Sequence, residues 1–205
     1  MLRPLAIVLS ALLLGAAGPR KADPPAAPAE VTFTADGKLN FPENYREWVY
    51  LTSGLGMSYT AQASDHPMFD NVFVNPSAYK AFLATGTWPD KTMLVLELRG
   101  AEAKQSIDQH GHSQSERMGV EVHVKDSSLP GKWGFFGFDD GPKPAKMIDR
   151  TATCYSCHEQ HGAVDTTFTQ FYPTLIGIAK AKKTLSAEYL KEMPGAAPAA
   201  AKSKY

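Results

Sequence analysis

The 205-residue chain reads as an α+β protein, a mainly antiparallel β-sheet with flanking helices. Three observations predict this. Gly119-Val120-Glu121-Val122-His123-Val124-Lys125 alternates apolar and polar residues at period two, the pattern of a half-buried strand. Asn75-Pro76 and Gly86 bracket a helix-compatible run with a start signal and a stop signal. The strand-like segments ahead of Cys154 are joined by connections without long crossover helices, which favours antiparallel pairing.

In chain order, Phe41 to Tyr50 predicts a short helical turn running into a strand. Val72-Phe73-Val74 is a short strand that stops at Asn75-Pro76. A helix follows from Pro76 to Ala84: Asn75 is expected to accept from the first free amides, Pro76 suits the first position, and Gly86 suits the end. Thr92 to Leu98 reads as a buried strand, Gly119 to Lys125 as the alternating one, and Trp133 to Phe138 as an aromatic one between glycine-rich turns. Glu102 to Glu116 is either a disordered loop or a lid. Phe168 to Ala179 is expected to be helical, with Pro173 limiting where it can begin.

The N-terminus MLRPLAIVLSALLLGAAG places Arg3 before an apolar run from Leu5 to Leu14 and then small residues. This reads as a secretory signal peptide over residues 1–17, too short to span a bilayer, and hence as a periplasmic protein without membrane insertion. Residues 18–30 are a Pro/Ala-rich leader, 31–180 one folded domain, and 181–205 a flexible tail carrying one short helix. Lys+Arg and Asp+Glu are equal at 21 each, so no basic field points to nucleic acid or an anionic membrane.

The only two cysteines form Cys154-Tyr155-Ser156-Cys157, followed at once by His158. Two thiols on one turn can add to the vinyl groups of a porphyrin while the next residue points an imidazole at the iron, which is the mechanics of c-type haem attachment. One covalently held haem c is the preferred reading, with His158 as iron ligand. The alternatives are a zinc site using Cys154, Cys157, His161 and one other histidine, a redox pair, and a disulfide. If haem is bound, the second ring nitrogen of His158 should be held by a carbonyl or carboxylate. His66, His110, His112, His123 and His161 are expected to be surface or hydrogen-bonded residues.

From Phe41 to about Ala179 the chain resembles the cytochrome P460 family, which includes the cytochromes c-prime-beta. The resemblance is carried by NYREWV (44–49), VFVNPSAYKAF (72–82), TGTWPDKTMLVLEL (85–98), GVEVHVKD (119–126) and CYSCHEQHGAVDTTFTQFYPTL (154–175). It implies an antiparallel sheet with flanking helices, a haem beside the sheet attached near the C-terminus, and a homodimer. In the hydroxylamine-oxidising members a strand lysine is bonded to the porphyrin. The matching position here is Leu96, which places the chain with the c-prime-beta branch, whose distal haem face is capped by apolar side chains. The resemblance implies Phe69 as the second cap, with Met68 next, and aligns Glu121 with a distal carboxylate that assists proton transfer. The ordinary reading of Leu96 and Phe69 is core, and that of Glu121 is a solvent-facing strand residue. Lys91 and Lys104, the other lysines near that strand, are expected to be solvated.

Three functions follow. The first is a five-coordinate cytochrome binding small gases such as nitric oxide and carbon monoxide. The second is a hydroxylamine-oxidising enzyme that passes electrons to a partner cytochrome, with Glu121 as proton acceptor. The third is an electron carrier closed by a methionine, Met68 before Met57, Met93 or Met118.

Overall fold

The computed structural model describes residues 31–59, 61–139 and 141–193. The signal-peptide and leader expectations, and the part of the tail beyond residue 193, lie outside the described residues. Among the described residues, five strands pair in the order β1-β2-β3-β4-β5, every neighbour antiparallel. They are β1 (Val49–Leu55), β2 (Met68–Val74), β3 (Thr92–Ala103), β4 (His112–Lys125) and β5 (Trp133–Gly137). The helices are α1 (Pro76–Thr85), α2 (Thr153–His161), α3 (Ile176–Lys182) and α4 (Ala187–Glu192). This is the expected α+β architecture.

Side chains alternate across the sheet. On β3, Met93, Val95 and Glu97 face one side, while Leu94, Leu96 and Leu98 face the other. The first side is sealed by Leu39, Tyr45 and Trp48, which pack on Met93, Val95, Val120, Val122, Val124 and Phe136. Bridges from Leu39 to Ala145 and from Phe136 to Met147 close that layer. The second side carries α1, α3 and the loop after α2, with Phe82, Trp88, Leu94, Val164, Leu175 and Ala179 in one cluster.

Helix α1 stops where expected. Gly86 has φ 76° and its N–H returns to the Phe82 carbonyl at 2.7 Å, the left-handed C-cap that favours glycine. Its missing side chain also matters, because a Cβ there would come within 2.8 Å of Lys182 at the end of α3. The start differs in mechanism from the expectation. No side-chain cap bond reaches the helix amides; Asn75 Oδ1 accepts from the Met93 amide at 2.8 Å and Nδ2 donates to the Lys91 carbonyl at 3.1 Å. Asn75 therefore ties α1 to β3.

Two other segments depart from expectation. Residues 102–116 are neither disordered nor a lid: β3 and β4 pair out to Ala103 and His112, leaving a short hairpin tip. Their sparse apolar content hides strands whose partner is each other rather than a core. Residues 168–179 are not one helix. A 3₁₀ turn over Thr169–Phe171 is followed by α3 from Ile176, because Pro173 lacks the N–H a continuous helix would use. Residues 181–193 hold the end of α3 and the short α4, with the Ser186 amide bonded to the Ala163 carbonyl and its hydroxyl to that of Gly162. No helix among the described residues is long and apolar enough to cross a membrane.

Candidate haem site

The second face of the sheet does not close completely. A cavity of about 500 Å³ remains between β1 to β5 and the segment after α2, within the ~300–1,000 Å³ range of small-molecule sites. The sheet contributes Val72, Leu94, Leu96, Leu98, Glu121, His123 and Phe135. Opposite them lie His158, Thr167, Phe168, Phe171 and Tyr172, with Met57 and Tyr59 from the β1–β2 connection.

His158 is gripped on several sides. Its ring stacks on Phe168 at 4.1 Å and meets Phe135 edge-on at 4.7 Å and His123 at 5.1 Å. Its Nδ1–H donates to the Thr166 carbonyl at 2.7 Å, leaving Nε2 as the nitrogen able to bind a metal. Thr166 reaches that place because α2 ends at Gly162. A Cβ on Gly162 would lie 2.8 Å from the Thr167 nitrogen and 2.9 Å from the Thr166 carbonyl carbon, so only glycine lets the returning backbone pack on the helix end. Thr167 then bonds to the Val164 carbonyl, to Thr169 and to the Trp88 indole N–H, each at 2.8 Å, which fixes the loop to the core.

Cys154 and Cys157 are free, half-buried thiols on the turn of α2 that precedes His158. Burial raises the Cys154 thiol above its ordinary value, with Glu121 adding to the rise, and Cys157 acts in turn on Tyr59. Both cysteines share helix α2 with His158, which lines the cavity. Two thiols, an imidazole oriented by a carbonyl, and an apolar cavity beside them suit a haem c; Cys154 and Cys157 would carry the thioethers and His158 the iron. The zinc alternative lacks its set. Among the described residues no three His, Cys, Asp or Glu side chains converge as a metal site requires, and His161 pairs with Glu192 of α4.

The other expected residues divide. Leu96 faces the cavity, and so does Glu121, paired across the strands as Leu96↔Glu121. Glu121 thus lines the cavity while remaining exposed to solvent, as its place on an alternating strand leads one to expect. Loss of water, with Asp139 second, lifts its carboxyl above the usual range, and Asp70, also in the lining, is raised by burial and by Glu121. Phe69 is a correction. Asp70 and Val72 line the cavity, and β2 pairs with β3 in unbroken register from Met68 to Val74. Phe69 therefore points to the opposite face, with Asn71 and Phe73. Met68 shares the cavity parity but lies at the strand end, outside the lining and exposed. Among the described residues Met57 is the methionine in the lining, whereas Met93 is buried on the other face and Met118 is exposed. Lys91 pairs with Asp126, and Lys104 is exposed.

Two further residues join the site, of which His123, expected to be a surface or hydrogen-bonded residue, is hydrogen-bonded but buried. His123 is 7% exposed, stacked on Phe135 at 3.9 Å, and burial, with His158 second, holds its pKa well below the ordinary histidine value. It stands two residues from Glu121 on an alternating strand, so the two share a face. Phe168 stacks on His158, and nothing in its local pattern marked it as part of the site.

No curated protein matches the chain. A model of the cytochrome P460 family matches residues 42–169, a span that takes in β1 to β5, both cysteines and the His158–Thr166 contact. The chain belongs to the cytochrome P460 family.

Proposed function

We propose that the protein is a periplasmic mono-haem c-type cytochrome that binds small uncharged diatomic gases, nitric oxide first and carbon monoxide also. Cys154 and Cys157 hold the haem and His158 ligates its iron through Nε2. When bound, the haem supplies a ferrous iron with a strong intrinsic affinity for nitric oxide. The observation that carries the reading is Leu96 facing the cavity between Leu94 and Leu98. Leucine cannot form the bond that the lysine of the hydroxylamine-oxidising members makes, and Leu94, Leu96 and Leu98 offer no hydrogen bond to a bound water or hydroxide, which leaves that part to Glu121 and Asp70 in the same lining. The N-terminal apolar run supports export. The homodimer and the absence of a nucleic-acid partner belong to the same reading; light scattering on the purified protein tests the dimer.

The dithionite-reduced absorption spectrum is the direct test. A broad, unsplit visible band is expected for five-coordinate iron. Sharp, split bands that become broad in Met57→Ala would instead establish a methionine-closed electron carrier. Leu96→Ala should raise the gas association rate by about tenfold, equivalent to removing ~1.4 kcal/mol of steric barrier. An unchanged rate would mean that Leu96 does not cap the ligand.

Glu121 supports a second reading, hydroxylamine oxidation with electrons passed to a partner cytochrome. A carboxyl whose pKa is raised is a better proton acceptor near neutral pH than one at its ordinary value. On this reading, turnover with a dye acceptor rises with pH through the elevated Glu121 value, and Glu121→Gln lowers it by roughly 10²–10⁴-fold. Absence of turnover in the wild-type protein would remove this reading and leave gas binding.

A further inference from the structure

His123 is a buried polar group in an aromatic setting. Its ring lies 3.9 Å from Phe135, nearly parallel, and 4.4 Å from Trp133. A phenyl ring would fill the same space, so packing alone does not call for a histidine. What the imidazole adds is a ring nitrogen: Nε2 lies 3.4 Å from the Thr166 hydroxyl. Thr166 is the residue whose carbonyl takes the His158 Nδ1–H at 2.7 Å. One residue therefore joins the two histidines, by its hydroxyl to one and by its carbonyl to the other.

The surroundings explain why such a tie has work to do. From the helix side the Thr166–Thr167 backbone rests against Gly162. On the other side lies a second, small cavity of about 20 Å³, lined by His123, Arg150, Tyr155, His158, Glu159 and Thr166. Thr166 thus borders a gap of about one water molecule's size rather than close-packed side chains on that side. His123, held in place by Phe135 and Trp133, is the group that faces it from the sheet.

We propose that His123 is a positioning residue for His158: through the Thr166 hydroxyl it fixes the carbonyl that holds the His158 ring, and so sets the strength of the bond His158 makes to iron. The inference rests on the haem reading above. A firm Nδ1–H···O=C bond orients the imidazole and makes the ligating nitrogen more basic. A looser Thr166 weakens that bond, weakens the iron–histidine bond, and stabilises ferric iron less.

Three variants test this in the holo-protein. His123→Phe keeps the ring stack and removes the nitrogen; Thr166→Val removes the hydroxyl and keeps the carbonyl; His123→Gln restores a polar group. Haem content is measured first, then the iron–histidine stretch of the ferrous protein by resonance Raman, and the reduction potential. His123→Phe and Thr166→Val should each move the stretch to lower frequency and the potential upward. The double variant should go no further than either single one, because both break the same link, and His123→Gln should recover part of the shift. Unmoved values with full haem content, or shifts that add in the double variant, would overturn the inference and leave the haem reading intact. A wild-type protein that takes up no haem would overturn both. Should His123→Phe fail to fold, Thr166→Val decides alone, since valine matches threonine in shape.

Discussion

A Cys154→Ser/Cys157→Ser double variant, produced in cells that mature c-type cytochromes, should retain no haem through denaturation, while its five-stranded sheet still forms. Both halves of this expectation come from where the cysteines sit. They occupy one turn of α2 beside the cavity, and neither takes part in the clusters that hold the sheet. A serine hydroxyl is close in size to the thiol but does not add to a vinyl group, so the covalent attachment is lost and the fold is spared. Haem staining after a denaturing gel, together with far-ultraviolet circular dichroism, reads both. In the wild-type protein the intact mass should rise by one whole haem, since adding a thiol across a vinyl group loses no atoms; a digest should recover that haem on the peptide holding Cys154 and Cys157, and the peptide containing Leu96 free of it. Haem retained by the double variant would mean that a third side chain anchors it, and the apolar reading of the Leu96 strip would fall with that result.

Much of this site is legible in the sequence because its parts are local. Cys154, Cys157 and His158 are contiguous, and the period-two pattern of residues 119–125 places Glu121 and His123 on one face without any knowledge of the fold. The helix α1 is announced by Asn75-Pro76 and closed by Gly86. What stays hidden is set by partners distant in sequence. Phe69 could not be assigned to a face, because β2 buries apolar side chains on both: Val72 and Val74 toward the helices, Phe73 toward Tyr45. The pattern Met-Phe-Asp-Asn-Val-Phe-Val accordingly has no single polar side. The hairpin of β3 and β4 beyond Arg99 reads as a loop because its strands answer each other rather than a core. Phe168 and Thr166 enter the site only because Gly162 lets the chain fold back on α2, a contact that becomes visible once the space around that glycine is known.

Glu97→Ala should lower the free energy of unfolding by about 3 kcal/mol, the lower end of what removing one partner of a buried charge network costs. Glu97 is 1% exposed. It accepts from the Tyr45 hydroxyl, from Arg46 at 2.6 and 2.8 Å, from Arg99 at 2.7 Å and from the Asn71 amide at 3.4 Å. Arg99 is mostly buried and would be left facing an alanine, whereas half-exposed Arg46 can return to water, which is why the lower figure applies. Burial by itself would raise the Glu97 carboxyl, but the hydrogen bonds from Tyr45, Arg99 and Arg46 outweigh it and hold the pKa below the ordinary value. The contribution is therefore complete above the unfolded value of about 4.3 and is lost as pH falls through the lower folded one. Urea unfolding of wild type and variant should show a gap that is constant near neutral pH and narrows only below that point. A gap that instead widened on acidification would mean that the carboxylate is destabilising in the fold. The network also governs the cavity on the other face. Leu96 and Glu97 are neighbours on a strand, so a one-residue slip of β3 would turn Glu97 into the cavity and Leu96 out of it. Desolvating Glu97 without its four partners opposes that slip, so the residue that stabilises the covered face of the sheet also fixes which side chain meets the ligand on the other.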